Sequence, residues 1–442
     1  MSKTLDEMRA DALRIYRAGL AAADPRAAVL RSLRVEGNQL RAGRAAHDLS
    51  RGRVVVVGAG KAGAPMAAAV EEVLGDRIAA GSVTVKYGHS GPTNKIRIEE
   101  AGHPLPDESG LRATADSLRL LEGLSEDDLV LCLISGGGSA LFELLVPGVT
   151  LNDLRGLTTS LLRSGANIGE INTLRKHISQ VKGGQLARAA APAQVISLIL
   201  SDVFGSPLDV IASGPTAPDT SRFADAWAIV EKYGLQHSLP RSILDHLEKG
   251  VRGEIPDTPK PGDPLFDHVT NIVIADNTVA CHAAERAARE LGYAVTLLST
   301  DVEGEAREVG ADLAGRARER SASAGPPPAC LIAGGEPTVT IRGEGKGGRS
   351  QELALAATFG LAGLDRAVLL AAGTDGTDGP TDAAGAIVDG TTLRRAEMLG
   401  LDARVALEAN DSYHFFEALG DLVITGPTNT NVNDLMIALV DY

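Results

Sequence analysis

Short continuous apolar runs recur through the first half of the chain, and each is followed by a glycine-rich turn or by a helical pattern. The first run covers residues 53–57, and apolar positions at helical spacing follow it over 61–74. Similar runs cover 82–86, 129–134 and 195–200. Apolar strands that alternate with helices are typical of a parallel sheet covered on both faces. The first half is therefore predicted to be a Rossmann-like α/β domain with a parallel sheet.

A second series of strands and helices begins beyond a stretch at 250–264 that is rich in proline, glycine and charged residues. That composition is typical of a linker. Strand patterns then cover 271–275 and 294–298, with a helical pattern between them. Because 442 residues exceed what one hydrophobic core usually supports, we predict two layered α/β domains, an N-terminal one over 1–255 and a C-terminal one over 265–442.

The formal net charge of −14 argues against a nucleic-acid surface, because binding the phosphate backbone requires a basic stripe and the chain has no run rich in Lys and Arg. The sequence also has no apolar run of about 18 residues, the length that a membrane-spanning helix requires. Cys132, Cys281 and Cys330 lie in or beside apolar stretches, which is typical of buried thiols in a reducing compartment. These features predict a cytoplasmic protein without nucleic-acid or membrane partners.

The turn GAGKAG at 58–63 lies between a strand pattern and a helical pattern. Gly58 and Gly60 let backbone N–H groups approach a ligand, and Lys61 adds a cation at the helix start, which suits a phosphoryl group or a carboxylate. The turn also matches the G-x-G-x-x-G dinucleotide motif, but the next strand pattern ends in Val85-Lys86 rather than in a ribose-binding acid. Anion binding is the favoured interpretation, and a dinucleotide site and a structural turn are the alternatives.

The turn SGGGSA follows the apolar run 129–134 and supplies unhindered backbone donors at a predicted helix start. Its candidate residues are Ser135, Gly136, Gly137, Gly138 and Ser139. Backbone N–H groups and hydroxyls in this arrangement suit a phosphate or a carboxylate. The sequence lacks the Gly-Lys-Ser/Thr ending of a Walker A loop, so we do not predict a P-loop. A tight strand-to-helix turn is the alternative.

A basic helical segment and one acidic residue are further candidates in the first half. Arg175 and Lys176 lie on one predicted helical turn, with Lys182 soon after, and this segment is suited to clamp an anionic substrate, although a solvated helix face has the same pattern. Asp202 follows the run 195–200, where the carboxyl ends of strands collect ligands. It is a candidate to accept a proton from a substrate hydroxyl or to hold a metal ion, and a turn cap is the alternative.

Two glycine-rich segments in the second half carry charged candidates. Lys346, Gly347 and Arg349 precede a helical pattern, and Arg349 at a positive helix end is suited to neutralise a transferring phosphoryl group. Asp375 and Asp378 follow another apolar strand pattern in GTDGTDGPTDAAGA, and their oxygens suit Mg²⁺ or ribose hydroxyls. A basic hairpin tip and a solvated acidic turn are the respective alternatives.

In their order and separation, these segments resemble the glycerate 2-kinase family, whose members carry a MOFRL domain at the C-terminal end and in many cases a hydroxypyruvate reductase label. The resemblance spans almost the whole chain. Its most specific segments are VGAGKAG, ISGGGSAL, SDVFGSPLDVIASGPT, GKGGRSQELAL, GTDGTDGPTDAAGA and TGPTNTNVNDL. One departure is Ser350, where the family motif has asparagine, and it affects a local ligand or capping contact.

The resemblance implies an enzyme that uses ATP and Mg²⁺ to phosphorylate the C2 hydroxyl of D-glycerate, in a cleft between two α/β domains. It implies that Lys61 and Arg349 stabilise the charge of the transferring group, and that Asp202 and Asp375 support the reaction as base or metal ligand. The residues expected to bind nucleotide are Lys346, Gly347 and Asp378.

Two other functions stay open from the sequence. An NAD(P)H-dependent hydroxypyruvate reductase is supported by GAGKAG and weakened by the missing ribose-binding acid. The second open function is a non-catalytic sugar-acid or nucleotide sensor, because glycine-rich loops also bind ligands in proteins that do not catalyse a reaction. The kinase interpretation implies D-glycerate and ATP as small-molecule partners. The sequence leaves the oligomeric state open, a homodimer included.

Overall fold

The computed structural model describes residues 3–323 and 327–441. The helices are α1 (Leu5–Ala22), α2 (Pro25–Ser32), α3 (Gly63–Leu74), α4 (Glu108–Leu120), α5 (Gly138–Leu141), α6 (Leu151–Arg163), α7 (Ile168–His177), α8 (Gln185–Ala190), α9 (Phe223–Lys232), α10 (Arg241–Val251), α11 (Asn277–Glu290), α12 (Ala306–Ala322), α13 (Arg349–Leu361), α14 (Thr392–Met398), α15 (Ala403–Glu408) and α16 (Ser412–Leu419). The strands are β1 (Leu33–Glu36), β2 (Gln39–Ala42), β3 (Ala45–Asp48), β4 (Val54–Ala59), β5 (Ile78–Lys86), β6 (Ile96–Ala101), β7 (Leu129–Ile134), β8 (Gln194–Leu200), β9 (Val269–Ala275), β10 (Ala294–Val302), β11 (Ala329–Gly335), β12 (Ala367–Gly373), β13 (Gly385–Asp389), β14 (Leu422–Val423) and β15 (Asp434–Val440).

The chain forms two compact units whose boundaries differ from the predicted domain boundaries. The central unit covers Ala28–Ile274, and the terminal unit combines the residues up to Ala27 with those from Ala275 onward. The predicted linker at 250–264 belongs to the central unit, where Thr258 Oγ1 donates to Asp219 Oδ2 at 2.9 Å and Asp219 N donates to the Pro259 carbonyl at 2.8 Å. Its proline-rich composition is that of an irregular segment fixed by hydrogen bonds.

The central unit contains a six-stranded sheet in the order β6-β5-β4-β7-β8-β9. The strands from β6 to β8 pair in parallel, which confirms the predicted parallel sheet. All six residues of β4 and all six of β7 are buried, so their continuous apolar runs match strands covered on both faces. From β4 the chain adds β5 and β6 on one side and then crosses to β7 on the other. The carboxyl ends of β4 and β7 therefore form a topological switch point, where open α/β sheets bind ligands.

Two further layers of the central unit were not predicted. Helices α6, α7, α9 and α10 enclose a separate apolar core that includes Leu157, Leu174, Val230 and Ile243, all fully buried. Strands β1, β2 and β3 form a small antiparallel sheet. The helical core matters for the site because α7 carries Arg175 and Lys176.

The terminal unit contains a mixed six-stranded sheet in the order β10-β11-β15-β12-β13-β14. β10 and β11 pair in parallel, and β15 lies antiparallel between β11 and β12. Helix α1 belongs to this unit because its side chains bond there. The Tyr16 hydroxyl donates to the Gly373 carbonyl at 2.7 Å, and Arg9 binds Asp389 and Asp421 at 2.6 Å each. Among the described residues, no helix is both long enough and apolar enough to cross a membrane.

Candidate active site

Two glycine-rich turns join at the switch point of the central sheet. The GAGKAG turn connects β4 to α3, and the SGGGSA turn connects β7 to α5. Lys61 N donates to the Gly136 carbonyl at 2.9 Å, and Ser135 N donates to the Ala59 carbonyl at 3.1 Å. The Ser135 hydroxyl accepts from Ala62 N at 3.0 Å. These two turns are about 75 residues apart in the sequence. They thus form one continuous surface.

Glycine is required in this surface because other groups pack directly on its backbone. Gly137 has φ +85°, and a Cβ added there would lie 3.1 Å from His103 Nε2 and 3.5 Å from Lys61 Cγ. A Cβ added to Gly136 would overlap the Asp202 carboxylate. Lys61, His103 and Asp202 therefore lie against the same glycine turn, so the structure brings together two predicted residues and one that was not predicted.

Gly58 and Gly60 allow the two turns to pack closely on each other, and Gly138 allows close packing against Ala212. A side chain on Gly58 would overlap the backbone of Leu133 in the neighbouring strand, and one on Gly60 would overlap Ser135. At Gly138 a Cβ would lie 2.8 Å from the Ala212 Cβ. Gly58 and Gly60 therefore bring the ends of β4 and β7 close enough for the turns to bond to each other.

His103 is a candidate that the sequence analysis missed. It follows β6, whose last residue is Ala101, and so lies at the same carboxyl edge of the parallel sheet as Lys61. Burial, and then the charges of Lys61, Lys86 and His89, lower the pKa of His103 to about 4. The position of a histidine just after a predicted parallel strand was the signal that could have identified it.

Arg175 and Lys176, adjacent in α7, have different surroundings. Arg175 Nη2 donates to the Ser139 carbonyl at 2.7 Å, directly beneath the SGGGSA turn. Lys176 is buried and pairs with Asp219 at 3.3 Å and with Asp209 at 3.7 Å. Of these two residues, Arg175 bonds to the glycine turn and Lys176 pairs with the aspartates, because successive residues of a helix face different directions.

Lys182 and Glu143 form a buried ion pair behind the SGGGSA turn. Lys182 is 0% exposed and Glu143 is 1% exposed, and their Nζ and Oε2 atoms are 3.3 Å apart. Lys182 Nζ also donates to the carbonyls of Ser139 at 2.9 Å and Phe142 at 2.8 Å. Burial lowers the pKa of Lys182 to about 8. Lys182, which the sequence suggested as an anion clamp, therefore binds backbone carbonyls instead.

In the terminal unit, Arg349 begins α13 and is held by two carboxylates. Its Nε and Nη2 atoms donate to the two oxygens of Asp434 at 2.6 and 3.0 Å, and Nη1 donates to Glu336 at 2.5 Å. Burial opposes the charged guanidinium, but the bonds to Asp434 outweigh it and raise the pKa of Arg349. The guanidinium plane is thereby fixed, and its side chain stays 32% exposed.

Asp378 and Asp375 differ in their local roles. Asp378 accepts from Ser350 N at 3.1 Å and from Gln351 N at 2.8 Å, so it satisfies the first turn of α13. Burial, and then the charge of Asp434, raise the pKa of Asp378 to about 7. Asp375 is half-buried and accepts from Thr377 N at 3.1 Å. The Ser350 hydroxyl is buried, and it has no hydrogen-bond partner within the part of the chain that the structure describes.

Lys346 and Gly347 pack against the start of α16. Lys346 Nζ lies 4.0 Å from the centre of the Tyr413 ring, and its carbonyl accepts from Tyr413 N at 2.9 Å. A Cβ on Gly347 would overlap the Ser412 hydroxyl. Across residues 3–323 and 327–441, no group of three or more His, Cys, Asp or Glu side chains is arranged to hold a metal ion.

Comparisons with known proteins identify the family. Residues 11–248 match a domain of unknown function (DUF4147), and residues 329–434 match the MOFRL family. A D-glycerate 2-kinase of Thermotoga maritima is 47% identical over 89% of this chain and 92% of its own length. The chain belongs to the glycerate 2-kinase family. This membership confirms the predicted family, fold class and enzyme class.

Other members of the glycerate 2-kinase family agree in fold and differ in name. The crystal structure of a glycerate kinase from Thermotoga maritima superposes with a TM-score of 0.89 at 43% identity, covering 98% of this chain and 100% of that one. A relative from Agrobacterium vitis, 43% identical over 97% of this chain and 93% of its own length, carries a hydroxypyruvate reductase name. The reductase alternative therefore needs its own test.

Proposed function

We propose that this protein transfers the γ-phosphoryl group of ATP to the C2 hydroxyl of D-glycerate, giving 2-phosphoglycerate and ADP. The observation that supports this most directly is Lys61, which lies on the joined glycine turns at the start of α3. Backbone N–H groups, a helix N-terminus and a lysine together favour a phosphoryl group. Membership of the glycerate 2-kinase family supplies the substrate pair.

We propose that Lys61 and Arg349 both stabilise the charge of the transferring group, since phosphoryl transfer depends on positioning and on cations around that group. The two carboxylates that hold Arg349 orient its guanidinium before substrate binds. Lys61→Ala and Arg349→Ala are each expected to lower kcat on the order of 10²–10³-fold, as loss of one preorganised charge-stabilising donor does. Near-normal rates in both variants would refute the assignment, and Lys95→Ala, at an exposed surface pair with Asp76, is the control.

Asp202 and Asp375 are proposed as the supporting carboxylates. One orients or deprotonates the C2 hydroxyl, and the other helps to hold Mg²⁺, which proteins bind through one or two carboxylates together with substrate phosphates. A site with fewer than three protein ligands therefore suits this ion. Isothermal titration of Mg²⁺ with an ATP analogue, in Asp202→Asn and in Asp375→Asn, assigns the roles, because only the metal ligand's variant weakens Mg²⁺ binding.

The Ser135–Ser139 turn and Arg175 are proposed to hold an anionic group of the substrates. Ser139 Oγ is 3.0 Å from Ser213 Oγ, and Arg175 supports the turn from below. Lys346, Gly347 and Asp378 remain proposed nucleotide-binding residues. The deciding experiment is incubation with ATP, Mg²⁺ and D-glycerate, with the phosphate position read by ³¹P NMR. A 3-phosphoglycerate product would contradict the C2 assignment, and light scattering on the same sample tests the homodimer.

A hydroxypyruvate reductase is the second candidate, because GAGKAG lies between β4 and α3 as a dinucleotide turn does. Against it, β5 ends at Lys86, without a carboxylate for the ribose. Oxidation of NADH or NADPH by hydroxypyruvate, followed at 340 nm, distinguishes the two activities. A steady rate without ATP would favour the reductase, whereas the kinase proposal expects none.

A further inference from the structure

His103 and Lys61 both lie close to one glycine, Gly137. The position of a Cβ on Gly137 is 3.0 Å from His103 Cδ2, 3.1 Å from His103 Nε2 and 3.5 Å from Lys61 Cγ. Gly137 is part of the turn that presents backbone donors at the switch point. A group bound by Lys61 and this turn is therefore within a few ångströms of the His103 ring.

The imidazole of His103 is available to a ligand. Within residues 3–323 and 327–441, neither of its ring nitrogens has a hydrogen-bond partner. The neighbouring His89 differs, because its Nδ1 is 3.3 Å from the Lys61 carbonyl. His103 is only half-buried, and its Nε2 lies 3.1 Å from the position of a Cβ on Gly137.

Burial and nearby positive charges favour the neutral form of His103. Burial, and then the charges of Lys61, Lys86 and His89, lower its pKa, and the Asp202 carboxylate lies against Gly136, the neighbour of Gly137 in the same turn. A neutral imidazole has a lone pair that can accept a proton. Anionic substrates oppose the effect of the lysines, so their binding raises the basicity of His103 when it is needed.

We propose that His103 accepts the proton of the C2 hydroxyl of D-glycerate during phosphoryl transfer, an inference that rests on the function proposed above. The hydroxyl oxygen forms a bond to the γ-phosphorus, and the bond from that phosphorus to the β,γ-bridging oxygen breaks. The bridging oxygen keeps the electron pair and leaves with ADP. The hydroxyl proton moves to His103, and the imidazolium later releases it to water.

A histidine suits this position better than a carboxylate does. A carboxylate beside the migrating group would repel its negative charge, whereas a neutral imidazole adds none. After it takes the proton, the imidazolium attracts the new phosphate ester. Asp202, which lies against Gly136, then orients the hydroxyl or helps to hold Mg²⁺ and does not take the hydroxyl proton.

The test compares His103→Gln and His103→Ala with His89→Gln, a neighbouring histidine near the same lysines. Both His103 variants are expected to lose about 10²–10⁴-fold in kcat, the usual contribution of general-base catalysis, with KM for ATP changed by less than about threefold. The acidic limb of the kcat–pH profile should disappear in His103→Gln, and added imidazole should partly restore His103→Ala. His89→Gln should stay within a few-fold of wild type.

Circular dichroism and the thermal midpoint establish that the variants are folded, and NMR of ¹³C-labelled histidine in the wild-type protein gives an independent measurement. The His103 pKa should rise when D-glycerate and a non-hydrolysable ATP analogue bind. A His103→Gln enzyme within about threefold of wild type, a retained acidic limb, or an unchanged pKa on binding would each overturn the inference. If the wild-type protein forms no phosphorylated glycerate, the proposed function itself fails, so the two failures are distinguishable.

Discussion

Replacing Lys182 by methionine tests whether the buried ion pair supports the SGGGSA turn. Methionine keeps an unbranched side chain of similar length but removes the ammonium. The variant loses the hydrogen bonds to the Ser139 and Phe142 carbonyls and leaves the Glu143 carboxylate, 1% exposed, with one cation fewer. Breaking a buried pair costs about 3–5 kcal/mol, and the remaining contact between Glu143 and Arg175 at 3.4 Å favours the lower end.

The assay is urea unfolding followed by tryptophan fluorescence, because the single tryptophan, Trp227, lies in α9 of the central unit. Lys182→Met is expected to lower the free energy of unfolding by about 3 kcal/mol. The double variant with Glu143→Gln should lose less than the two single losses combined, because the underpaired carboxylate is then neutral. A loss below about 1 kcal/mol, or strict additivity in the double variant, would refute this account of the pair.

Three further outcomes are expected. Asp378→Ala should lower the free energy of unfolding by about 1–2 kcal/mol, as loss of a helix cap does, whereas Asp378→Asn keeps one acceptor and should lose less; equal losses would contradict the capping role. Gly137→Ala should lower the free energy of unfolding by about 1–2 kcal/mol because of its left-handed backbone, and it should lower kcat by displacing His103. Gly37 is also left-handed but has nothing packed on it, so Gly37→Ala should lower stability and leave kcat unchanged. The folded-state pKa of His103 is about 4, below its ordinary value of 6.5. Its contribution to stability is therefore complete above pH 6.5 and declines as the pH falls towards 4. The free energy of urea unfolding, measured over this pH range, should decline less in His103→Gln than in the wild type.

The strands that could be predicted from the sequence are those buried on both faces. The runs at 53–57, 129–134 and 195–200 became β4, β7 and β8 because a parallel strand between two helix layers has no polar face to interrupt its apolar run. The glycine turns after them were also recognisable. The glycines at these strand ends are required by the local backbone geometry of the turn, so the neighbouring residues are enough to predict them.

The order of strands within a sheet and the pairing of side chains that are distant in the chain leave no local pattern in the sequence. β15 lies between β11 and β12, yet its sequence is only another apolar run. The sequence around Lys182 indicates an anion clamp or a solvated helix face, because its buried partner, Glu143, is distant in the chain. The prolines at 250–264 predicted a linker because composition does not reveal which irregular segments are fixed by hydrogen bonds to distant residues.

The attachment of α1 to the terminal unit has a consequence for biosynthesis. The helix is synthesised before the groups that receive it. One of these is Tyr293, whose hydroxyl bonds to Asp11 at 3.0 Å and which is made more than 250 residues later. Meanwhile the intervening segment has every residue of its own unit and can fold during translation. During translation, the amphipathic helix α1 therefore stays unpaired until the rest of the terminal unit has been made. A truncated product that starts at Ala275 would expose the surface that α1 normally covers.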